Sequence, residues 1–334
     1  MSIARNGVNL GGWLVVEKWM TPSLFAGTVA KNEYELAATA EGRARLEKHH
    51  KTFIGEKDWQ WLQKNGMTLV RIPVGYWIVD GDEPYVAARE RLDWAFAMAA
   101  KYKIDILLDL HAAPGAQNDS DHSGSGAPHT GAQWLKSRSH QRETVARLET
   151  LLATYGTHPR LWGLQLLNEP AVGRLGLRLT WFYRRAYRAI VRSANVGTRV
   201  VFSDAYRPWL LTNTYGWLQN RDFPVVMDCH LYNCFGRKNS LRTFGQHLQV
   251  VKRRRHLLRV LGWQQPVLVG EWSGVLPYAV SDKETKEFIA LQQTVYANAL
   301  ANFYWNYKTE HSDIWNFRAM HEKGLVALPA VNEV

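Results

Sequence analysis

The chain of 334 residues is 46% hydrophobic and carries a formal net charge of +11. The apolar content is ample for a buried core, and the length suits one large domain or two ordinary ones. No run of 18 apolar residues occurs, which excludes a membrane-spanning helix. The N-terminal residues show no long apolar segment with a cleavage site, so no secretory leader is expected in this chain, and its compartment is left open.

The basic residues are spaced in a way that indicates exposed helix faces. A positive surface suits nucleic acid, anionic lipid or an acidic polymer. However, Arg178, Arg185, Arg188 and Arg192 recur at helical spacing, as on the solvent side of an amphipathic helix. The dense basic run at 252–256 has the same character. Because no nucleic-acid-binding motif accompanies these residues, nucleic acid is not an expected partner.

Eight short apolar runs alternate with helical patterns along the chain. The predicted strands lie at 8–10, 68–72, 104–110, 163–167, 199–203, 225–228, 266–269 and 302–305. The predicted helices lie at 58–65, 90–102, 142–155, 178–193, 246–261 and 283–301. This alternation, unbroken by a linker, predicts one parallel α/β domain over residues 1–334. Eight strands fit a closed (β/α)₈ TIM barrel better than an open sheet, and no glycine-rich dinucleotide fingerprint follows the first strand.

Local signals mark the ends of one helix and the start of one long loop. Asp58 has the chemistry of an N-cap, and Gly66 that of the residue just beyond a helix. The longest segment without a predicted element, 112–131, follows the strand that ends at His111. A long polar loop at the C-terminal end of a strand favours a functional role.

Two glutamates each follow a short apolar run. Glu169 comes after WGLQLL and Glu271 after PVLVG. A buried parallel strand carries the residue after it to the C-terminal rim of the sheet. Two carboxylates on neighbouring strand ends are the minimum apparatus for cutting a glycosidic bond, with one as proton donor and one as nucleophile. The sequence therefore predicts an enzyme that acts on sugar.

Other polar or bulky side chains also end apolar runs, where they would converge at one mouth of a barrel. Singly, such a residue is more often structural than catalytic, but their coincidence favours a site. They are Arg71, His111, Asn168, His230, Tyr232 and Trp305. The two cysteines, Cys229 and Cys234, are spaced like neither a redox pair nor a metal pair. Cys229 is expected to be buried and to point away from His230.

Six segments carry a resemblance to a known family. They are GVNLGGWLVVEKWMTPSLF at 7–25, DLHAAPGAQN at 109–118, LLNEP at 166–170, HLYNCF at 230–235, GEWSG at 270–274 and WNYKTE at 305–310. In this order they resemble glycoside hydrolase family 5, and within it the fungal-type exo-β-1,3-glucanases. The resemblance covers nearly the whole chain. It implies a (β/α)₈ barrel and a mechanism that retains anomeric configuration.

The resemblance also implies roles for the residues in these segments. Glu169 would be the general acid/base and Glu271 the nucleophile, with Asn168 on the sugar 2-hydroxyl. Three residues would support them: Arg71 and Tyr232 at Glu271, and His230 at Glu169. Charge from Arg71 would lower the pKa of Glu271, and the charge of Glu271 about 5 Å away would raise the pKa of Glu169. The expected substrate-binding residues are Glu17, His111, Asn118, Asp121, Phe235 and Trp305.

The chain departs from the fungal pattern at the pocket entrance. Phe235 matches one of two phenylalanines that clamp the sugar chain there, but the partner position holds Ser120. The chain is also shorter than its fungal relatives. In the same loop, His122 and His129 are either substitutes that line an acceptor site or, more simply, loop histidines. These departures bear on exo action and on the β-1,3 preference, whereas bond cleavage does not depend on them.

The leading prediction is a retaining exo-β-1,3-glucanase, with some transglycosylation. The alternatives are the same machinery on a β-1,6- or β-1,4-glucan or on a small glucoside or glycolipid. A carbohydrate-binding protein without turnover is a less favoured hypothesis. No cofactor is expected, and no metal-binding motif is present. The sequence does not indicate an oligomeric state.

Overall fold

Eight parallel strands form a closed barrel in the computed structural model, which describes residues 5–123, 133–172, 176–215 and 222–328. Each strand pairs with the next along the chain, and the last pairs with the first. The strands are Arg5–Asn9 (β1), Leu69–Gly75 (β2), Asp105–Ala112 (β3), Leu161–Gln165 (β4), Arg199–Ser203 (β5), Val225–His230 (β6), Val267–Trp272 (β7) and Ala301–Tyr304 (β8). The TIM-barrel prediction is confirmed.

Helices surround the barrel. They are Glu33–Ala37 (α1), Ala40–Thr52 (α2), Glu56–Lys64 (α3), Arg89–Tyr102 (α4), Arg138–Tyr155 (α5), Leu177–Ser193 (α6), Pro208–Tyr215 (α7), Arg237–Ser240 (α8), Phe244–Gln264 (α9), Asp282–Tyr296 (α10) and Phe317–Glu322 (α11). The helices α1, α2, α7, α8 and α11 were not predicted. None of the helices within the described ranges is long and apolar enough to cross a membrane.

The capping residues explain where several helices begin. Thr243 and Ser281 each form a capping box, with Gln246 and Glu284 respectively, so α9 begins two residues before its predicted start. The prediction that Asp58 is the N-cap of α3 is wrong. Gly55 is the N-cap, and Asp58, in the first turn of the helix, accepts a hydrogen bond from the backbone N–H of Gly55.

Two faces of each strand build two different layers. Residues on the outer face pack against the helices, and Cys229 lies in this outer core, as predicted. Inward-pointing residues of the strands fill the barrel with a smaller apolar cluster: Leu69, Leu107, Trp162, Val201, Val226, Leu268, Ala301 and Phe303. Because side chains alternate along a strand, the next inward residues toward the C-terminal end are two positions on. Those positions are largely polar and form the base of the site.

The basic residues of α6 lie where the sequence places them. Arg178, Arg185, Arg188 and Arg192 are all exposed. The run at 252–256 differs in one residue, because Arg254 is only partly exposed and donates to the backbone carbonyls of Leu231 and Tyr232. That arginine ties α9 to the segment after β6.

Candidate active site

A buried arginine connects the polar residues inside the barrel. Arg71 follows Leu69 on the inner face of β2, and its guanidinium is fully buried. Its nitrogens lie within 3.1 Å of oxygens of five residues from four strands or their ends: Asn9, Asp109, Gln165, Asn168 and Glu271. Burial lowers the pKa of Arg71, but the charges of the acidic residues around it more than offset this and raise it. The arginine is therefore a fixed positive charge beneath the site.

Two Asp-x-His pairs orient the two strand-end histidines. On β3, Nδ1 of His111 lies 2.7 Å from Oδ2 of Asp109. On β6, Nε2 of His230 lies 3.1 Å from Oδ2 of Asp228. In each pair the carboxylate stands two residues before the histidine, and therefore on the same inner face of the strand.

Glycine is required at position 270 of β7 because of this arrangement. The Gly270 backbone N–H donates to Oδ1 of Asp228 at 2.6 Å. A Cβ atom on Gly270 would lie 2.3 Å from the same carboxylate. Only the absence of a side chain lets Asp228 approach β7 and hold His230 from below.

Glu271 extends from β7 and has a separate donor on each carboxylate oxygen. Oε1 lies 3.1 Å from Nη1 of Arg71, and Oε2 accepts from the Tyr232 hydroxyl at 2.8 Å. Nδ1 of His230 is 3.4 Å from Oε2. The carboxylate is therefore held in one orientation, with only 5% of the residue exposed.

Glu169 faces it from the loop after β4. Its Oε1 lies 2.5 Å from Nδ1 of His230 and also accepts from the hydroxyl of Tyr206. Its Oε2 is 3.7 Å from Nε2 of His122. Both Glu169 and Tyr206 have left-handed backbone, with φ of 40° and 57°, a conformation that costs energy in residues other than glycine and is concentrated at functional sites.

The two glutamates meet across His230. A carboxylate oxygen of each and a ring nitrogen of His230 all lie within 4.8 Å of one another. The sequence analysis placed the two glutamates on neighbouring strand ends, and this is wrong. Strands β5 and β6 lie between β4 and β7. The closure of the barrel brings their ends together.

A pocket of about 880 Å³ opens above this pair, within the size range of small-molecule sites. The residues that line it include most of the predicted ones: Glu17, His111, Asp121, Glu169, His230, Tyr232, Phe235, Glu271 and Trp305. The indole of Trp305 stacks on the His111 ring, with centroids 5.6 Å apart and planes at 9°. Arg71 and Asn168 lie beneath the pocket, fully buried.

Of the predicted sugar ligands, Asn118 does not line this pocket, whereas Phe235 lies at its edge. The Asn118 side chain donates to the Glu169 backbone carbonyl at 3.0 Å and accepts from the backbone N–H of Ser120, so it shapes the loop rather than the pocket surface. Phe235 is 61% exposed and stacks on Trp315 at 6.3 Å. The pocket therefore has an aromatic wall at this edge, whereas Ser120 leaves the opposite position without a ring.

Some pocket residues were missed by the sequence analysis. Trp19, Tyr206 and Trp315 line the pocket, and Asp109 and Asp228 hold its histidines. The aspartates could have been found from the two-residue alternation within strands already predicted. Of the two loop histidines, His122 also lines the pocket, whereas His129 lies outside the described residues.

The pKa values of the two glutamates are shifted in the opposite directions to those predicted. Burial acts to raise the pKa of Glu169, but the hydrogen bonds from His230 and Tyr206 and the charges of His230 and His122 bring it below its ordinary value. Burial raises the pKa of Glu271 to about 7, against the opposing charges of His230 and Arg71. The prediction considered Arg71 alone, but that cation also interacts with Asp109 and Asp228.

Burial lowers the pKa of His122, yet the nearby charges of Glu17, Glu169 and Glu271 raise it to about 9. The free pocket therefore holds a cation beside its carboxylates.

The carboxylate oxygens of Glu169 and Glu271 lie within 4.8 Å of each other. A pair with this separation, at the mouth of a (β/α)₈ barrel and the base of a pocket, is the apparatus of a glycoside hydrolase.

Comparison with known proteins places the chain within that class. The profile of the Cellulase family (glycosyl hydrolase family 5) matches residues 46–311. A protein of Aspergillus fumigatus named probable glucan 1,3-beta-glucosidase A is 31% identical over 97% of this chain and 87% of that protein. A glucan 1,3-beta-glucosidase from Pichia angusta is 33% identical over 81% of this chain and 64% of that protein. The chain belongs to glycosyl hydrolase family 5 and is a glycoside hydrolase, as predicted.

Solved structures share the fold. A rutinosidase from Aspergillus niger superposes with a TM-score of 0.79, covering 97% of this chain and 98% of that one at 20% identity. The endoglucanase Cel5A from Thermotoga maritima gives a TM-score of 0.59, with 91% and 89% covered at 13% identity. At these identities the likeness establishes the barrel.

Proposed function

We propose that this chain hydrolyses β-glucosidic bonds with retention of configuration and releases glucose from the non-reducing ends of β-1,3-glucans. The observation that carries the proposal is the Glu169–Glu271 pair, whose nearest oxygens lie within 4.8 Å of each other. Retaining enzymes keep their carboxyl groups about 5–5.5 Å apart, whereas inverting enzymes need roughly 6.5–9.5 Å to admit a water molecule. The β-1,3 preference is supported by the names of the relatives.

Glu271 acts as the nucleophile and Glu169 as the acid/base. In the first step, an oxygen of Glu271 bonds to the anomeric carbon while the bond to the leaving oxygen breaks and Glu169 protonates that oxygen. In the second step, Glu169 takes a proton from water, whose oxygen bonds to the anomeric carbon as Glu271 leaves. Because Oε1 of Glu169 is held by His230 and Tyr206, Oε2 carries the transferred proton.

The proton for the first step resides in the His230–Glu169 pair. Their atoms lie only 2.5 Å apart, and the pKa of His230 is raised well above its ordinary value, because the neighbouring carboxylates outweigh the effect of burial. Because His230 contacts Oε1 whereas Oε2 protonates the leaving oxygen, the proton passes from His230 through a water molecule to Oε2 as substrate enters the pocket. At the same moment Arg71 and Tyr232 stabilise the charged form of Glu271.

Unpartnered polar atoms point to the sugar contacts. Nδ2 of Asn168 is buried and has no hydrogen-bond partner within the described part of the chain, while Oδ1 accepts from Arg71. Nε2 of His111 is likewise buried and unpartnered there. Buried polar groups are rarely left unpaired. We assign Asn168 to the 2-hydroxyl of the sugar, His111 to another hydroxyl, and Trp305 to the face of the ring.

Action at chain ends is supported by the wall beside His111. Glu17 accepts a hydrogen bond from the indole N–H of Trp19 at 2.9 Å, and His122 lies 3.9 Å from the same carboxylate. These groups offer donors and acceptors to the extra hydroxyl that only a terminal glucose presents.

The test is product analysis on laminarin together with an NMR time course. Glucose alone at early times, formed first as the β-anomer, is the expected result. A ladder of oligomers would refute exo action, and the α-anomer as first product would refute retention.

A second candidate is the same chemistry on a β-1,6- or β-1,4-glucan or a small glucoside. It is favoured by Ser120, which leaves one side of the entrance open, while Phe235 packs on Trp315. Parallel assays on pustulan and cello-oligosaccharides would distinguish these substrates. Glucose release from them that exceeds release from laminarin would replace the β-1,3 assignment.

A further inference from the structure

Three metal-ligating side chains converge on one wall of the pocket. Glu17 comes from the segment after β1, His111 from the end of β3, and His122 from a short turn at Asp121–Ser123. One ligand atom from each lies within 4.8 Å of the other two. Nδ1 of His122 is 3.9 Å from Oε2 of Glu17, and the two imidazole rings are 4.8 Å apart.

His111 is already oriented as a metal ligand. Its Nδ1–H donates to Asp109 at 2.7 Å, which leaves the lone pair on Nε2. That nitrogen is buried, and no described residue offers it a hydrogen bond. A histidine that donates to a carboxylate through one nitrogen and presents the other is the arrangement that supports metal-binding histidines in proteins.

The surroundings of the cluster favour a cation. Carboxylate oxygens of Glu17 and Glu169 lie 3.9 and 3.7 Å from the two ring nitrogens of His122. A divalent ion bound beside this ring would therefore lie close to negative charge. The imidazole side chain lies on a loop turn rather than in a strand, so a rotation can bring its nitrogen to the roughly 2.0–2.1 Å that zinc requires.

We propose that Glu17, His111 and His122 bind a divalent transition metal ion, zinc above all, and that the bound ion blocks the subsite of the terminal sugar. Two imidazoles and a carboxylate form a ligand set suited to zinc, with a fourth position left to solvent. Hydrolysis itself does not use the ion. Zinc binding does not depend on the proposed function. The claim that the ion blocks a sugar subsite rests on the proposed function, in which the same side chains contact the sugar.

Direct binding is measured on protein freed of metal with EDTA, by calorimetric titration with zinc chloride. Cobalt(II) supplies an optical signal, since histidine–carboxylate coordination of low symmetry gives visible d–d bands. One bound ion per chain is expected. The His122→Asn variant should raise the dissociation constant for zinc by about tenfold or more. Loss of a residue that only supports a ligand lowers metal affinity by about that factor, and loss of a ligand itself should cost at least as much.

Two further variants make the result specific. His256→Asn removes an exposed histidine of α9 and should leave the zinc affinity unchanged. Glu17→Gln provides a second test at the cluster should His122→Asn fail to fold. Wild-type zinc affinity in a folded His122→Asn or Glu17→Gln variant would overturn the site.

Inhibition is measured with an aryl β-glucoside. Zinc should raise the apparent KM and leave kcat unchanged, whereas a fall in kcat at constant KM would show that zinc does not compete with the sugar and would overturn the blocked subsite. Hydrolysis by the EDTA-treated enzyme without zinc tests the proposed function separately. Calorimetry reports on the metal site whether or not that hydrolysis is found.

Discussion

The hydroxyl of Tyr232 donates to Oε2 of Glu271 at 2.8 Å, on the side of the carboxylate away from Arg71. This hydrogen bond favours the charged carboxylate, and it acts against burial, which raises the pKa of Glu271. Tyr232 thereby determines how readily Glu271 can serve as the nucleophile.

Tyr232→Phe should move the acid limb of the pH profile upward. The nucleophile works only when ionised, so activity is lost as the pH falls through the pKa of Glu271, which is raised to about 7. Removing the hydrogen bond raises that pKa further, and kcat/KM should then begin to fall at a higher pH than in the wild type. The measurement is kcat/KM against pH on an aryl β-glucoside, with Tyr278→Phe as a control outside the pocket. An unmoved acid limb would contradict this account of Glu271.

Glu271→Gln should abolish turnover while leaving the fold intact. The amide has nearly the same shape but cannot form the covalent intermediate, so kcat on an activated aryl glucoside should fall by at least about 10⁴-fold. Glu287→Gln, at an exposed position of α10, is the matched control and should keep wild-type activity. A protein that only binds carbohydrate would show no wild-type turnover to lose.

Tyr206→Phe should affect substrates according to their leaving group. The phenol holds Oε1 of Glu169, so its loss leaves the acid less well oriented. The rate on laminaribiose, which needs a protonated leaving oxygen, should fall about tenfold, the equivalent of one hydrogen bond of roughly 1.4 kcal/mol. The rate on 2,4-dinitrophenyl β-glucoside, which needs little protonation, should change far less. Equal losses on both substrates would show that Tyr206 does not act through Glu169.

Arg254→Lys should disturb the site from outside the barrel. The guanidinium bonds the carbonyls of Leu231 and Tyr232 at 2.9 and 2.7 Å, and a lysine cannot reproduce this two-pronged contact. The acid limb should move in the same direction as in Tyr232→Phe. The double variant should show less than the sum of the two single effects. Arg253→Lys, at the exposed neighbouring position, is the control for replacing an arginine with a lysine. If the effects of Arg254→Lys and Tyr232→Phe were additive in the double variant, Arg254 would not act through Tyr232.

Asp58→Ala should lower the free energy of unfolding by about 2–3 kcal/mol, because it removes a capping contact, leaves Lys308 without an acidic partner and takes one of two acidic partners from Arg318. The carboxylate is 5% exposed. Besides Gly55 at the start of its own helix, its partners come from a distant part of the chain: Tyr307, Lys308 and Arg318. Urea denaturation measures the change, and Glu56→Ala, which removes an exposed ion pair to Lys101, should cost less than Asp58→Ala. A loss no larger than that of Glu56→Ala would contradict the role given to Asp58.

The strands and the residues at their ends could be predicted because they follow local rules. Apolar runs of strand length located β1 to β8, and the residues after them, such as Glu271, lie at the mouth. The same alternation would have revealed Asp109 and Asp228. Tyr206 follows the predicted strand β5 and could also have been noticed, but its contact with Glu169 depends on two left-handed residues that no spacing pattern indicates.

The charge order in the site could not be predicted from residue types. It depends on which oxygen of Glu169 meets His230 and on how Arg71 divides its charge among several carboxylates. The position of His122 depends on how its loop folds back over β3. Such features arise from contacts between segments far apart in sequence, and they decide the pKa values.

Efforts to change the substrate of this enzyme should leave the strand beside the nucleophile untouched. The 2.3 Å between the Asp228 carboxylate and any Cβ at position 270 means that every substitution at this codon would displace the carboxylate that holds His230. Diversity belongs instead at the rim, where Phe235 and Ser120 are exposed and larger or smaller side chains can be accommodated.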